Sequence, residues 1–277
     1  MNSLEKVNQN SNYDTYLNRM DGSYLKSSKC LIPLFCKGKE VLDVGCASGT
    51  LIKPLMEHGF SVTGIDLNQS AVDICKAEGY NVINSSLRDL KGTFDTIVFS
   101  SVLHEFSSYN EDEKYRYTLI PIIMALADAY HHLNSHGRII IRDGIKETDA
   151  RMGVKTTSSE VTEAFKKYLN DAPMYKGTKA LIAGQSIIAP RSVIKEFAYT
   201  YTWGKESYSR EVNEQYGILT VEEWKQVVKT VPFYTITNFM TSADDYIKYV
   251  SKFFVPDKRL VQMFEQSTIL ISAERED

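Results

Sequence analysis

No two cysteines in this 277-residue chain are spaced as C-x-x-C, and the four present (Cys30, Cys36, Cys46 and Cys75) are dispersed through apolar segments. That pattern offers neither a zinc knuckle nor a disulfide framework, and it suits a reducing, cytoplasmic setting. No stretch approaches the ~18 to 20 apolar residues of a membrane span, and no basic leader runs into an apolar segment, so no membrane partner is expected. Basic clusters are missing too: 32 Lys and Arg lie scattered against 35 Asp and Glu, for a net charge of -3. Affinity for nucleic acid rests mainly on phosphate neutralisation, which argues against a nucleic-acid partner while leaving a specific RNA open. Internal repeats and low-complexity tracts are absent.

What the chain does have is 43% hydrophobic residues, enough for a sizeable core without staples. Apolar positions at helical spacing run over residues 13–35, after which strands and helices alternate. Strands are expected at 41–44, 61–66, 81–84, 94–100 and 138–142, and helices at 50–58, 69–78 and 111–133. Such alternation implies parallel pairing with right-handed crossovers and helices on both faces of the sheet. The rhythm breaks after Gly144. Residues 145–216 are polar and aromatic, with one helical pattern at 158–169. It resumes at 220–230, whose T-x-E-E start has the form of a capping box. Strands at 233–239 and 268–273 follow, joined through a helical excursion at 243–254.

The densest signal is Val41-Leu42-Asp43-Val44-Gly45-Cys46-Ala47-Ser48-Gly49-Thr50, a strand delivered into a turn of small residues that opens a helix. Small side chains let a ligand approach the backbone. A second strand, Val62-Thr63-Gly64-Ile65-Asp66, ends in an acid about twenty residues on, where a carboxylate reaches ribose hydroxyls. Together they point to a nucleoside ligand. Asp43, inside the first strand, is a poor neighbour for a dinucleotide pyrophosphate and a good one for a sulfonium or ammonium, which argues against NAD.

These segments resemble the class I S-adenosylmethionine-dependent methyltransferases over residues 38–144, and again over 217–273. The resemblance implies a doubly wound α/β fold, with a seven-stranded, mostly parallel sheet, an antiparallel C-terminal hairpin and a lid insertion. It divides the chain into an N-terminal helical cap (1–37), a cofactor-binding core (38–144), a substrate-binding insertion (145–216) and the C-terminal part of the sheet (217–277). The implied cofactor is S-adenosyl-L-methionine. Asp43, Gly45, Cys46, Ala47 and Gly49 would surround its methionine, and Asp66 with Leu67 would hold ribose and adenine. Ser85 and Ser86 would lie near the adenine, Ser100 and Ser101 near the transferring methyl, and Tyr13 would close over the cofactor. Two positions depart from the family pattern: Ala47 replaces the usual middle glycine, and Ser86 replaces an acid common near the adenine amine.

The fourth strand is expected to continue from Ser100 through Ser101-Val102-Leu103-His104-Glu105-Phe106. That puts His104 and Glu105 at the carboxyl end of the sheet, where proton chemistry is possible. His104 is a candidate general base or a wall of the cofactor pocket. Asp143, ending the fifth strand, could orient an amine or accept a proton, or form a salt bridge with Arg142 or Arg151. His131, His132 and His136 stand at a helix end without a companion carboxylate, so no metal is expected there or elsewhere.

Residues 197–217 carry many aromatic and acidic side chains, which suit a cationic or amine-bearing acceptor or, equally, a hydrophobic cluster that pins the insertion. Tyr16, Glu105, Tyr199, Tyr201, Trp203, Glu206, Glu211 and Glu214 are the substrate-binding candidates. The expected activity is methylation of a small molecule or peptide-like natural product at nitrogen or oxygen. An RNA methyltransferase and a non-catalytic nucleoside-binding module are the alternatives.

Overall fold

Val41, Leu42 and Val44 are buried, as befits a strand with neighbours on both sides and helices on both faces. The computed structural model describes residues 27–230, 234–243 and 246–277 (the Lys248 side chain aside), and the N-terminal helix expected over 13–35 lies mostly outside them. Within its described part, Ser28–Leu31 form a 3-10 turn and Ile32–Phe35 a short helix, α1.

The alternating segment then runs β1 (Glu40–Val44), α2 (Ile52–Glu57), β2 (Ser61–Asp66), α3 (Gln69–Ala77), β3 (Val82–Asn84) and β4 (Phe94–Ser100). It continues with α4 (Leu103–Ser108), α5 (Ile120–His132) and β5 (Leu133–Gly144). Strands β9 (Tyr234–Ser242) and β10 (Thr268–Arg275) complete a seven-stranded sheet in the order β3-β2-β1-β4-β5-β10-β9. Pairing is parallel from β3 through β5, and β10 runs antiparallel to both β5 and β9. One core cluster lies on each face of this sheet.

Strand β4 does not continue to residue 106. Ser101 turns left-handed (φ 58) and the chain becomes a helix from Leu103 to Ser108. The helix expected from residue 111 begins only at Ile120. Tyr117 is also left-handed (φ 57), which breaks helical propagation, and Pro121 suits a first turn because its missing N–H is not needed there. Helix α9 (Val221–Thr230) carries the expected capping box: the Thr220 amide donates to Glu223 at 2.8 Å and the Glu223 amide donates to Thr220 Oγ1 at 3.3 Å.

The insertion is more regular than its sequence predicts. It holds β6 (Arg151–Lys155), α6 (Ser159–Asp171), β7 (Leu181–Ala183), β8 (Ser186–Pro190), α7 (Arg191–Thr202) and the short α8 (Tyr208–Glu211). Its strands form an antiparallel sheet, β6-β8-β7. It has its own core, around Phe165, Tyr168 and Phe197. The helical excursion α10 (Tyr246–Val250) and α11 (Lys258–Glu265) adds Val250, Phe254, Met263 and Phe264 to that core rather than to the main one. The insertion leaves and rejoins the sheet at one point. Ile145 bridges Leu219, and a Cβ on Gly144 would stand 2.3 Å from the Tyr216 carbonyl oxygen.

Candidate active site

At the carboxyl ends of β1 and β2 the chain makes two tight turns facing one cavity of about 260 Å³. Gly45 (φ +68) opens the first turn, and its amide donates to Ile65 O at 2.8 Å. A Cβ there would lie 2.5 Å from Val102 Cγ2, so only glycine fits. Ala47 is left-handed as well (φ 46). It is held by its amide, which donates to Asp66 Oδ2 at 2.9 Å, while Asp66 Oδ1 accepts from the Asn68 amide at 2.8 Å. Burial pushes the Asp66 carboxyl up, against the pull of these amides.

Gly45, Asp66, Leu67, Ser85, Ser86, Val102, Glu105, Phe106 and Tyr109 are among the residues that line this cavity. Leu67 is 43% exposed, an apolar surface on which a flat base can lie. Ser86 donates to Asp89. Cys46 and Gly49 support the turn from behind: Cβ atoms on Gly64 and Gly49 would meet Cys46 Sγ at 2.8 Å and Tyr80 at 2.9 Å.

Asp43 is buried beside this turn, and burial pushes its carboxyl up to about 7, with the charge of Lys29 opposing. Arg142 is also buried, and donates to Ser28 Oγ (2.9 Å) and to Ser101 Oγ. Ser100 Oγ is buried with no partner among the described residues. In the sheet register Asp43 stands opposite Val98 and Ser100 opposite Arg142. Strand alternation therefore puts Asp43, Ser100 and Arg142 on one face. A carboxylate, two buried cations and an orphaned hydroxyl match the two charged ends of an amino acid. The sequence does not mark Lys29, and it offers Arg142 only as a partner for Asp143, although a charge interrupting an apolar strand just short of its end is a signal in itself.

His104 and Asp143 do meet. His104 Nδ1 lies 2.7 Å from Asp143 Oδ1, and the His104 amide donates to Asp143 Oδ2 at 3.2 Å. Asp143 thus pairs with neither arginine considered for it; Arg151 donates instead to the Lys179 and Ile188 carbonyls. On the other side of the ring, Nε2 lies 3.5 Å from Glu214 Oε2 of the insertion. Burial alone would push this imidazole down, but Asp143 and Glu214 hold it well above its ordinary value.

Arg210, also buried, gathers three acids: Glu105 at 3.0 Å, Glu211 at 2.9 Å and Glu214 at 2.8 Å. Tyr109 donates to Glu214 Oε1 (3.0 Å) and Tyr216 to Glu211. Burial pushes Glu105 up to about 7, against Arg210, and pushes Glu211 well up. Glu214 is held below its usual range despite burial, by Arg210 and His104. Two of these acids, Glu211 and Glu214, are near neighbours of Arg210 in sequence, while Glu105 lies 105 residues away, and nothing local in the sequence announces that third pairing.

Other candidates stand apart. Tyr199 is buried and donates to Ser267 O at 3.0 Å, and Tyr201 stacks on Phe197 with centroids 5.1 Å apart, both inside the insertion's core. Trp203 packs on the edge of that core and Glu206 is exposed. Tyr13 and Tyr16 lie outside the described residues.

Residues 16–173 match the family described as "Methyltransferase domain". The chain belongs to that family. Its fold is that of the class I S-adenosylmethionine-dependent methyltransferases, and that family uses S-adenosylmethionine. The glycine turn that admits no Cβ, the acid at the end of β2 and the paired charges beside Asp43 fit that molecule. The ubiquinone biosynthesis O-methyltransferase of Coxiella burnetii is 52% identical over 40 residues, 14% of this chain and 17% of that protein. The ribosomal protein L11 methyltransferase of Lachnospira eligens is 30% identical over 134 residues, 47% of this chain and 39% of that one. The matches thus span well under two thirds of these curated relatives. Among solved structures, the plantazolicin methyltransferase BamL, in complex with a triazolic desmethylPZN analog and SAH, superposes with a TM-score of 0.53 at 15% identity, covering 99% of this chain and 91% of that one. An S-adenosylmethionine dependent methyltransferase from Mesorhizobium loti gives 0.50 at 15% identity, with 89% and 98% covered. At such identities the likeness is one of fold.

Proposed function

We propose that this methyltransferase transfers a methyl group to a nitrogen or oxygen of a small molecule or peptide-like natural product. The observation that carries this reading is that Asp66 and Glu105 line one and the same cavity. A nucleoside site thereby adjoins the cluster that Arg210 and Glu214 of the insertion form with Glu105. In this reading Asp66 holds the ribose hydroxyls, with Leu67, Ser85 and Ser86 around the adenine. Asp43 faces the ammonium of the methionine part, and Lys29 and Arg142 face its carboxylate. When bound, S-adenosylmethionine supplies an already activated methyl, so the chain's task is alignment and exclusion of water.

His104 is not the proton acceptor here, because both of its ring nitrogens face carboxylates. It ties Glu214 of the insertion to α4, next to Glu105. Glu105 has one oxygen on Arg210 and lies at the cavity wall, where it orients the acceptor. Carboxylates beside aromatic rings favour an acceptor that carries a positive charge near its nucleophile.

The reading is tested by incubating the chain with S-adenosylmethionine labelled in its methyl group and with separated small-molecule, peptide and RNA fractions of cell extract, followed by mass spectrometry. Label in a small molecule or peptide at nitrogen or oxygen is expected. Label confined to RNA, or none together with tight S-adenosylhomocysteine binding, contradicts it.

A further inference from the structure

Two glycines mark the place where the insertion leaves and rejoins the sheet. A Cβ on Gly144 would meet the Tyr216 carbonyl oxygen at 2.3 Å, and one on Gly217 would meet Ile145 O at 2.9 Å and Glu196 Oε1 at 2.8 Å. Tyr216 and Gly217 are both buried, so their amides need partners within the protein. One side chain serves both. Glu196, buried on α7, accepts from the Tyr216 amide at 2.9 Å through Oε2 and from the Gly217 amide at 2.6 Å through Oε1.

This clamp ends the short segment, Arg210 to Tyr216, through which the insertion meets α4. The Tyr216 ring packs on the His104 imidazole with centroids 5.0 Å apart, and its hydroxyl donates to Glu211. Two residues earlier, Glu214 stands 3.5 Å from His104 Nε2 and 2.8 Å from Arg210, which in turn reaches Glu105 at 3.0 Å. Ser108 Oγ, also on α4, accepts from the Gln215 amide at 3.0 Å. The segment is therefore held from two directions, by α4 on the sheet side and by Glu196 from the helix that carries Phe197 into the insertion's own core. Glu196 is the link that ties the one to the other.

We propose that Glu196 is a positioning residue of the acceptor site: by fixing the Tyr216 and Gly217 amides, it sets Glu214 and Tyr216 against His104 and Arg210 against Glu105. This rests on the reading that the acceptor meets Glu105, which lines the cavity; Glu196 acts on it only through the segment. A carboxylate is needed for the task. Two adjacent N–H groups require two acceptor oxygens, and a glutamine would turn its own N–H donors toward one of them.

The full chain is tested by amide hydrogen exchange and by imidazole nitrogen NMR at neutral pH, with the His104 signals assigned by their absence from His104→Gln. In the wild type the Tyr216 and Gly217 amides should exchange at least about tenfold more slowly than that of the exposed Gly177. Glu196→Gln should remove that protection and shift the His104 Nε2 resonance, whose partner is Glu214, while sparing Nδ1, whose partner is Asp143. S-adenosylhomocysteine affinity should be unchanged, which reports an intact fold. On the extract fraction that takes labelled methyl, the variant should raise the acceptor KM about tenfold and leave the cofactor KM alone. Should Glu196→Gln not fold, Gly217→Ala, whose Cβ would displace the carboxylate, should give the same signature. Unprotected Tyr216 and Gly217 amides in the wild type, or a folded variant with an unshifted Nε2 resonance or an unchanged acceptor KM, overturns the proposal. If no fraction takes label, the acceptor reading fails by itself, and the exchange rates and imidazole spectra still decide what Glu196 holds.

Discussion

The Ala47 amide donates to Asp66 Oδ2 across 2.9 Å, so the carboxylate that ends β2 also fixes the turn that follows β1. Ala47 bears a Cβ in left-handed backbone, a conformation that costs an L-residue about 1 to 2 kcal/mol. Asp66 offsets that strain. With Asn68 binding its other oxygen, the carboxylate is held rigidly, and each oxygen keeps a lone pair for a ligand hydroxyl. Binding therefore meets a preformed acceptor pair.

Arg142 should read the cofactor's carboxylate. Arg142→Met is expected to weaken S-adenosylhomocysteine binding by about 1.5 to 3 kcal/mol, the worth of hydrogen bonds to a charged group. Affinity for adenosine, which lacks that carboxylate, should be unchanged. Calorimetry with both ligands checks this; equal losses for the two would instead point to general damage of the turn.

Asp43 should make cofactor affinity depend on pH. Burial holds its carboxyl at about 7, above its ordinary range, so the folded chain keeps a proton that the unfolded chain has lost. Its contribution to stability is thus present at low pH, is lost as pH rises from about 4 to about 7, and is constant above. A ligand ammonium favours the ionised form. Affinity for S-adenosylhomocysteine is therefore expected to rise between pH 6 and pH 8, at most tenfold per unit and mostly below about 7, and Asp43→Asn should flatten the curve. Dissociation constants across a buffer series measure it, and a flat wild-type profile contradicts it.

The residues made legible what is decided locally. Strand β2 begins and ends where its alternation and final acid place it, and the capping box at Thr220 and Glu223 needed only four residues to be seen. What escaped depends on partners remote in sequence. Nothing near Ser101 or Tyr117 announces a left-handed backbone, so β4 was read as too long and α5 as starting too early. The small sheet β6-β8-β7 has strands of three to five residues with mixed burial, too short for periodicity to register. Aromatic density in the insertion reported a core as well as a site: Tyr199 and Tyr201 went to the first, while Glu211 and Glu214 gathered on Arg210 beside the cavity.

Tyr199 tests that division. Its hydroxyl is buried and donates to the Ser267 carbonyl, so Tyr199→Phe should cost about 1 kcal/mol of stability through the lost hydrogen bond. Thermal unfolding measures the cost. Turnover on an identified acceptor should be unaffected, and a raised KM with unchanged Tm would return Tyr199 to the acceptor site.

The account stands on Asp66 and the turn after β1 forming one adenosyl site. Calorimetric titration of the wild type and of Asp66→Ala with S-adenosylhomocysteine tests this most directly. The wild type should bind one equivalent, and the variant should bind more weakly by about 1 to 3 kcal/mol, the loss of charge-assisted hydrogen bonds. A wild type that binds none, or a folded Asp66→Ala with an unchanged dissociation constant, contradicts the account.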